Sequence, residues 1–256
     1  MSLTRLALRI AAPLPRIEDC DRFLFVGPHP DDIEIGAGAT AAKLAAAGKQ
    51  VCFLVCMDGR YGLENAPAGT TPEALIDIRR REAEASARLL GAEVSFLELC
   101  DGGFYDYDTL VRGIAQAIGR VQPQVVFAPD PCVNSECHID HRRVGEAVRQ
   151  LAFFAPFREI MARYGAKAAP VQALAFYMTA KPNRFVGTRG FLDRQLAAIF
   201  DCHTSQFPAG CSAAKSIRLY LKLRAADFGL RSGRGQAEGF RVLGQTQMHC
   251  LPEAGD

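Results

Sequence analysis

The sequence predicts a single α/β domain built on a mostly parallel, Rossmann-like sheet flanked by helices. Three observations carry that expectation. Short β-rich runs alternate with longer helix-like segments. The runs are continuously apolar, as strands covered on both faces require. Glycines stand where the intervening helices should end.

Taken in order, "FLFVGP" is the first strand and "AGATAAKLAAAG" the helix after it, closed by Gly48. "VCFLVCMD" is the second strand, "PEALIDIRRREAEASARLLG" a helix ending at Gly91, and "VSFLEL" the third strand. "DTLVRGIAQAIGRV" reads as a helix, "VVFAPD" as the fourth strand and "ALAFYM" as a further strand. Helical segments are expected around 190–201 and 212–227. The final stretch, "GLRSGRGQAEGFRVLGQTQMHCLPEAGD", is glycine-rich and reads as irregular.

The balance of 49% hydrophobic and 23% charged residues at a formal net charge of +2 describes a globular chain, which argues against disorder and against a polyanion-wrapping protein. A nucleic-acid partner is therefore not expected. The opening "MSLTRLALRIAAPLPRIEDCD" is interrupted by Arg9, Pro13 and Pro15 before it reaches a signal-peptide core. No run approaches the roughly 18 apolar residues of a membrane span. The expectation is a cytoplasmic protein, one domain over 1–256 with 1–20 as an N-terminal extension. The nine cysteines are an odd number, and Cys52 and Cys56 lie inside a strand-like run, which favours reduced thiols over a disulfide framework.

In an open parallel sheet, ligands bind beyond the carboxyl ends of the strands. Three strand ends here carry reactive groups: His29, Asp31 and Asp32 after the first, Asp58 after the second, and Asp130 followed by Cys137, His138, Asp140 and His141 after the fourth. Zinc sites that activate water use three nitrogen, sulfur or oxygen ligands and keep one position open. His29 and Asp32 are near enough in sequence to share an ion, and His141 from a distant strand end can complete the set. Asp31 is then placed as a general base, His138 as a hydrogen-bond donor to a developing oxyanion, and Asp140 as an orienting partner of one histidine. Taken alone, "HPDD" also reads as a helix N-cap and "HIDH" as a solvated polar loop. Their occurrence at two ends of one sheet favours the metal reading.

Those motifs resemble the LmbE-like, or PIG-L, zinc-dependent N-deacetylases, which carry His-Pro-Asp-Asp with a nearby acid and a His-x-Asp-His motif. Here they stand as "HPDDIE" and "HIDH", and the likeness runs on through "RRREAEASARLLG", "LELCDGG", "HTSQF" and "AEGF". The resemblance implies Zn2+ held by His29, Asp32 and His141, with Asp31 as base and His138 as oxyanion stabiliser or acid. The substrate it implies is an N-acetylglucosamine-type conjugate, with Arg79 and Asp101 approaching sugar hydroxyls. Ile33 separates the aspartates from Glu34, a variant similar to the bacillithiol-pathway and diacetylchitobiose branch, so Glu34 is grouped with the substrate-side residues. His203 in "HTSQF" reads as structural or pocket-lining. A homo-oligomer, trimer or hexamer, is also implied. The basic run from Lys215 to Arg234 reads as a solvated or oligomer-contacting surface, or as a site for a phosphate-bearing substrate.

Rival readings are a sugar- or nucleotide-binding module of the same fold without catalysis, a cysteine hydrolase using Cys137 or Cys202, and an idle scaffold. The first strand ends in "GPHPDD", with no G-x-G-x-x-G turn to receive a pyrophosphate.

Overall fold

The computed structural model describes residues 7–249 apart from residue 9. Five strands, β1 (Arg22–Gly27), β2 (Gln50–Met57), β3 (Glu93–Leu99), β4 (Val125–Pro129) and β5 (Ala173–Tyr177), pair in parallel. Two more, β6 (Arg184–Gly187) and β7 (Ala237–Gly244), complete the sheet in the order β3-β2-β1-β4-β5-β7-β6. β7 runs antiparallel to both its neighbours. The helices are α1 (Asp32–Ala46), α2 (Pro72–Leu90), α3 (Tyr107–Val121), α4 (Ile139–Phe154), α5 (Arg158–Arg163), α6 (Leu192–Ala197), which continues into a π turn, and α7 (Ser212–Ser232).

Successive side chains of β1 divide the core. Phe23 and Phe25 face a layer with Phe53, Phe127 and the alanines of α1, whereas Leu24 and Val26 face Leu110, Ile114, Val144 and Val148 of α3 and α4. Alanine on α1 leaves room for aromatic rings, and Phe25 stacks on Phe127 with centroids 4.1 Å apart. The helix boundaries follow local chemistry: Thr71 accepts from Ala74 N at the start of α2, Pro72 occupies its first turn, and Gly91 at φ 80° closes it.

The chain corrects the expected irregular tail. α7 runs to Ser232 and "AEGFRVLG" is strand β7, buried between β5 and β6. Its charged residues Glu238 and Arg241 argue against a buried strand when read locally, but each has a partner. Glu238 accepts Ala39 N and Thr40 N where α1 loses helical geometry at Ala37, and Arg241 pairs with Asp130. β6, α4 and α5 also lie outside the expected elements: β6 and α5 are short and bounded by turns, and α4 starts within "HIDH". Of the expected N-terminal extension, the described part packs onto the domain: Ile17 and Cys20 are buried, and Ala12 O accepts from Gln247 Nε2 at 2.7 Å.

The strand order reverses between β1 and β4, since β1 leads outward to β2 and β3 while β4 leads the other way to β5. The crevice at such a reversal, beyond the carboxyl ends, is where open α/β sheets hold ligands. His29 and His138 follow those two strands.

Candidate active site

Beyond β1 the backbone turns at Asp31, whose φ of 116° lies in a region non-glycine residues rarely adopt. Asp31 occupies the N-cap of α1 without making a side-chain cap bond. The carboxylate that closes the turn is instead Asp32, whose Oδ2 accepts from His29 N at 2.9 Å. Strain of this kind costs about 1–3 kcal/mol and persists where the surroundings impose it. Its result is that Asp31 reaches Arg79 and the cavity while Asp32 reaches the histidines.

Beyond β4, His138 is the N-cap of α4 and its Nδ1 accepts from Asp140 N at 3.3 Å. Asp140 and His141 then fall in the first turn. The two strand ends meet: Asp32 Oδ2 lies 3.2 Å from His29 Nδ1 and 3.3 Å from His141 Nε2. One ligand atom from each of His29, Asp32 and His141 falls within 4.8 Å of the others.

Each of these imidazoles is held from its far side. His29 Nε2 lies 3.1 Å from Asp140 Oδ2, and Asp140, fully buried, also accepts Gly102 N at 2.7 Å and Gly103 N at 2.9 Å. His141 Nδ1 lies 3.1 Å from Glu136 Oε2. In the tautomers that donate to those carboxylates, His29 Nδ1 and His141 Nε2 would turn their lone pairs toward Asp32, the arrangement a shared metal ion requires. Glu136 is a site residue that the sequence reading missed. Its place in a loop before "HIDH" gives no signal of its own.

The electrostatics of the cluster show the same demand for positive charge. Burial opposes ionisation of His29, yet the bonds to Asp140 and Asp32 outweigh it and lift its pKa to about 10. His141 is likewise raised against burial, chiefly by Asp32. Asp32 is held well below the ordinary carboxylate range: burial would raise it, but His141 and His29 prevail. Asp31 behaves oppositely. Burial pushes its carboxyl up to about 6, and Arg79, with Nη2 at 3.3 Å, offsets only part of that. Two adjacent carboxylates are thus driven apart in basicity by their surroundings. His138 is lowered by burial and by the neighbouring histidines.

An open cavity of about 300 Å³ exposes this centre, lined by His29, Asp31, Arg79, Asp101 and His138 together with Tyr61 and Gln206. Arg79 is fixed by Pro30 O at 2.7 Å and Gly59 O at 3.1 Å. Gln206 arrives because Glu82 of α2 accepts from Ser205 N and from the Ser205 and Thr204 hydroxyls, and Gln206 Nε2 donates to Gly62 O. Glu34 does not reach the cavity. Its carboxylate, 3% exposed, meets Ser86 and His203, so its placement among substrate-side residues is corrected to a buried partner of His203. Helical i, i+3 spacing would put the two on one face, but Asp31 is the N-cap at φ 116° and leaves the helix before that spacing applies. Cys137 Sγ contacts Ser135 O, and burial raises the Cys202 thiol. Neither is an activated nucleophile paired with an imidazole among the described residues.

Fold and site together define an α/β protein with a candidate metal centre at the reversal point of its sheet. The chain belongs to the PIG-L family: the family model described as GlcNAc-PI de-N-acetylase matches residues 24–152. It is 32% identical to diacetylchitobiose deacetylase of Thermococcus kodakarensis, over 98% of this chain and 93% of that protein. It is 32% identical to 1D-myo-inositol 2-acetamido-2-deoxy-alpha-D-glucopyranoside deacetylase of Kineococcus radiotolerans, over 68% of this chain and 55% of that one. N,N'-diacetylchitobiose deacetylase from Pyrococcus horikoshii, solved with its inhibitor MPG, superposes with a TM-score of 0.85 at 29% identity, covering 98% of this chain and 97% of the other.

Proposed function

We propose that the protein is a metal-dependent hydrolase that removes the acetyl group from an N-acetylglucosamine-type sugar conjugate, with Asp31 as general base. The observation that carries the reading is the convergence of His29, Asp32 and His141 beside an Asp31 carboxylate lifted to about 6. Family membership and the deacetylase relatives support it.

The donor set of two imidazoles and one carboxylate suits zinc, as does the fixing of both imidazoles by carboxylates behind them. Held by His29, Asp32 and His141, zinc would supply Lewis-acid polarisation of the amide carbonyl and a lowered pKa for water in the site. Asp31 takes the proton of the attacking water and delivers it to the departing amine. A carboxyl raised by burial suits both acts better than an unperturbed aspartate. Arg79 holds that carboxylate in place. His138, whose Nδ1 accepts from Asp140 N, carries its proton on Nε2 and so donates to the oxyanion without needing a charge. Asp140 keeps His29 in the tautomer that presents Nδ1.

The test is acetate release from a set of N-acetylglucosamine conjugates, with metal content measured in parallel. The expected result is release that chelator treatment abolishes and added zinc restores. Full activity in metal-free protein would reject the reading.

A further inference from the structure

We propose that the outward face of α7 is a self-association surface, which pairs in parallel, about a two-fold axis, with the same face of a second copy of this chain. The proposal stands apart from the hydrolase reading and needs neither a metal nor a substrate.

α7 is apolar on two opposite sides. Leu221, Ala225 and Phe228 turn inward and are buried against the domain. On the outside, Leu219 is 59% exposed, Leu223 61% and Leu230 84%, with Tyr220 beside them at 52%. Four of the ten exposed large hydrophobic side chains among the described residues therefore stand on this one helix. Single exposed leucines are ordinary, but a contiguous stripe marks an interaction surface.

The spacing of the stripe identifies its partner. Ser216, Leu219, Leu223, Ala226 and Leu230 follow one another at steps of three, four, three and four residues, the repeat by which helices pair as coiled coils. Written as heptads, Ser216, Leu223 and Leu230 take position a, and Leu219 and Ala226 take position d. The buried Leu221, Ala225 and Phe228 fall at c and f, on the far side. Residues at e and g flank such a seam and set its orientation. Lys222 stands at g and Asp227 at the following e, the two positions that face each other across a parallel seam. The two-fold axis makes that contact twice. Lys222 has no ion pair among the described residues, and Asp227 meets Arg231 at 3.4 Å where both are exposed. An antiparallel seam sets g beside g and e beside e, which leaves Lys222 and Asp227 unmatched, so charge complementarity selects the parallel pair.

Leu219 to Leu230 spans about 16 Å at 1.5 Å per residue, too few turns to hold a free peptide helix. Here the helix is built before a partner arrives. Cys211 Sγ accepts from Ala214 N at its start, Gly233 at φ 68° closes it, and its inner face is packed. Pairing therefore carries no cost of folding the helix.

Sedimentation equilibrium of the intact protein over a concentration series tests the proposal. The wild type is expected as an even-numbered assembly. Leu219→Glu/Leu223→Glu should halve its mass with an unchanged circular-dichroism spectrum, since both side chains are exposed in the single chain. Lys222→Asp should weaken association about tenfold, and Asp227→Lys likewise, because each sets like charges face to face twice. Lys222→Asp/Asp227→Lys should restore the wild-type association, which neither a misfolded helix nor an unrelated contact would do. A monomeric or odd-numbered wild type, or a mass that the leucine substitutions leave unmoved, overturns the proposal and assigns the stripe to another partner. A double charge variant that associates no better than either single one overturns the parallel pairing.

Discussion

Asp31 and Asp32 are neighbours in sequence with opposite electrostatic fates. Asp32 sits between two imidazoles that stabilise its charge, whereas Asp31 is buried and Arg79, with smaller help from His203 and His29, offsets only part of its desolvation. Asp31→Asn should therefore keep the metal content of the wild type while turnover falls by about 10²- to 10⁴-fold, the usual worth of a general base. Asp32→Ala and His141→Ala should instead lose metal, as elemental analysis would read. An Asp31→Asn protein without metal, beside a fully loaded Asp32→Ala, would exchange the two roles. The residue types of the cluster were legible in "HPDD" and "HIDH" because donor chemistry is a property of single side chains. The assignment of Asp32 rather than Asp31 to the histidines was made from the motif too, but its physical cause was not visible there, since it lies in the unusual φ at Asp31 and in Asp140 and Glu136 gripping the rings from behind.

At the scale of elements, α1 does its positioning as a broken helix. Gly36 lies against Tyr177, where a Cβ would come within 2.2 Å of Cδ2, and Tyr177 in turn donates to Val26 O on β1. The helix loses its geometry at Ala37, and Glu238 from β7 accepts the freed N–H groups of Ala39 and Thr40. Removing that acceptor leaves two backbone donors without a partner, at roughly 1–3 kcal/mol. Glu238→Ala should lower the melting temperature by several degrees, at about 2–4 °C per kcal/mol for a chain of this size. Glu238→Gln, which keeps an acceptor oxygen, should lose less. Equal melting of the two variants would show that the carboxylate does not splice the helix. The alanine-rich run announced a helix; its break did not show, because the partner that makes the break tolerable lies about 200 residues away.

At the scale of the whole molecule, the antiparallel end of the sheet is tied to the parallel part through Asp130. It follows β4 and accepts Arg241 Nε and Nη2 from β7, at 2.9 and 2.6 Å, and the Thr179 hydroxyl at 2.6 Å. Burial would raise its pKa, but Arg241 and Thr179 hold it below the ordinary carboxylate value. Its stabilising effect is therefore complete above the unfolded value, about 3.9, and is lost as pH falls through the lower folded one. Urea unfolding should find Asp130→Asn least stable relative to wild type near neutral pH, with the gap narrowing at about pH 3. A gap independent of pH would remove the ion pair as its cause. Metal removal should also act on the whole fold, because the ligands come together only when β1 and β4 are paired. An ion at about 100 times its Kd adds about 2.7 kcal/mol, so chelation should lower the melting temperature by roughly 5–10 °C.

The five parallel strands, the helices between the first four of them, and the donor types offered at two strand ends are legible along the chain. Those are carried by residues adjacent in the chain, where apolar runs, caps and ligand chemistry act locally. It took the assembled sheet to make the glycine-rich tail strand β7, to turn Glu34 inward to His203, and to bring Glu136, Gln206 and Tyr61 around the centre. Each of those outcomes depends on groups brought together by strand order and loop packing, and a charged or aromatic side chain states its partner only once the sheet has set which loops share an edge.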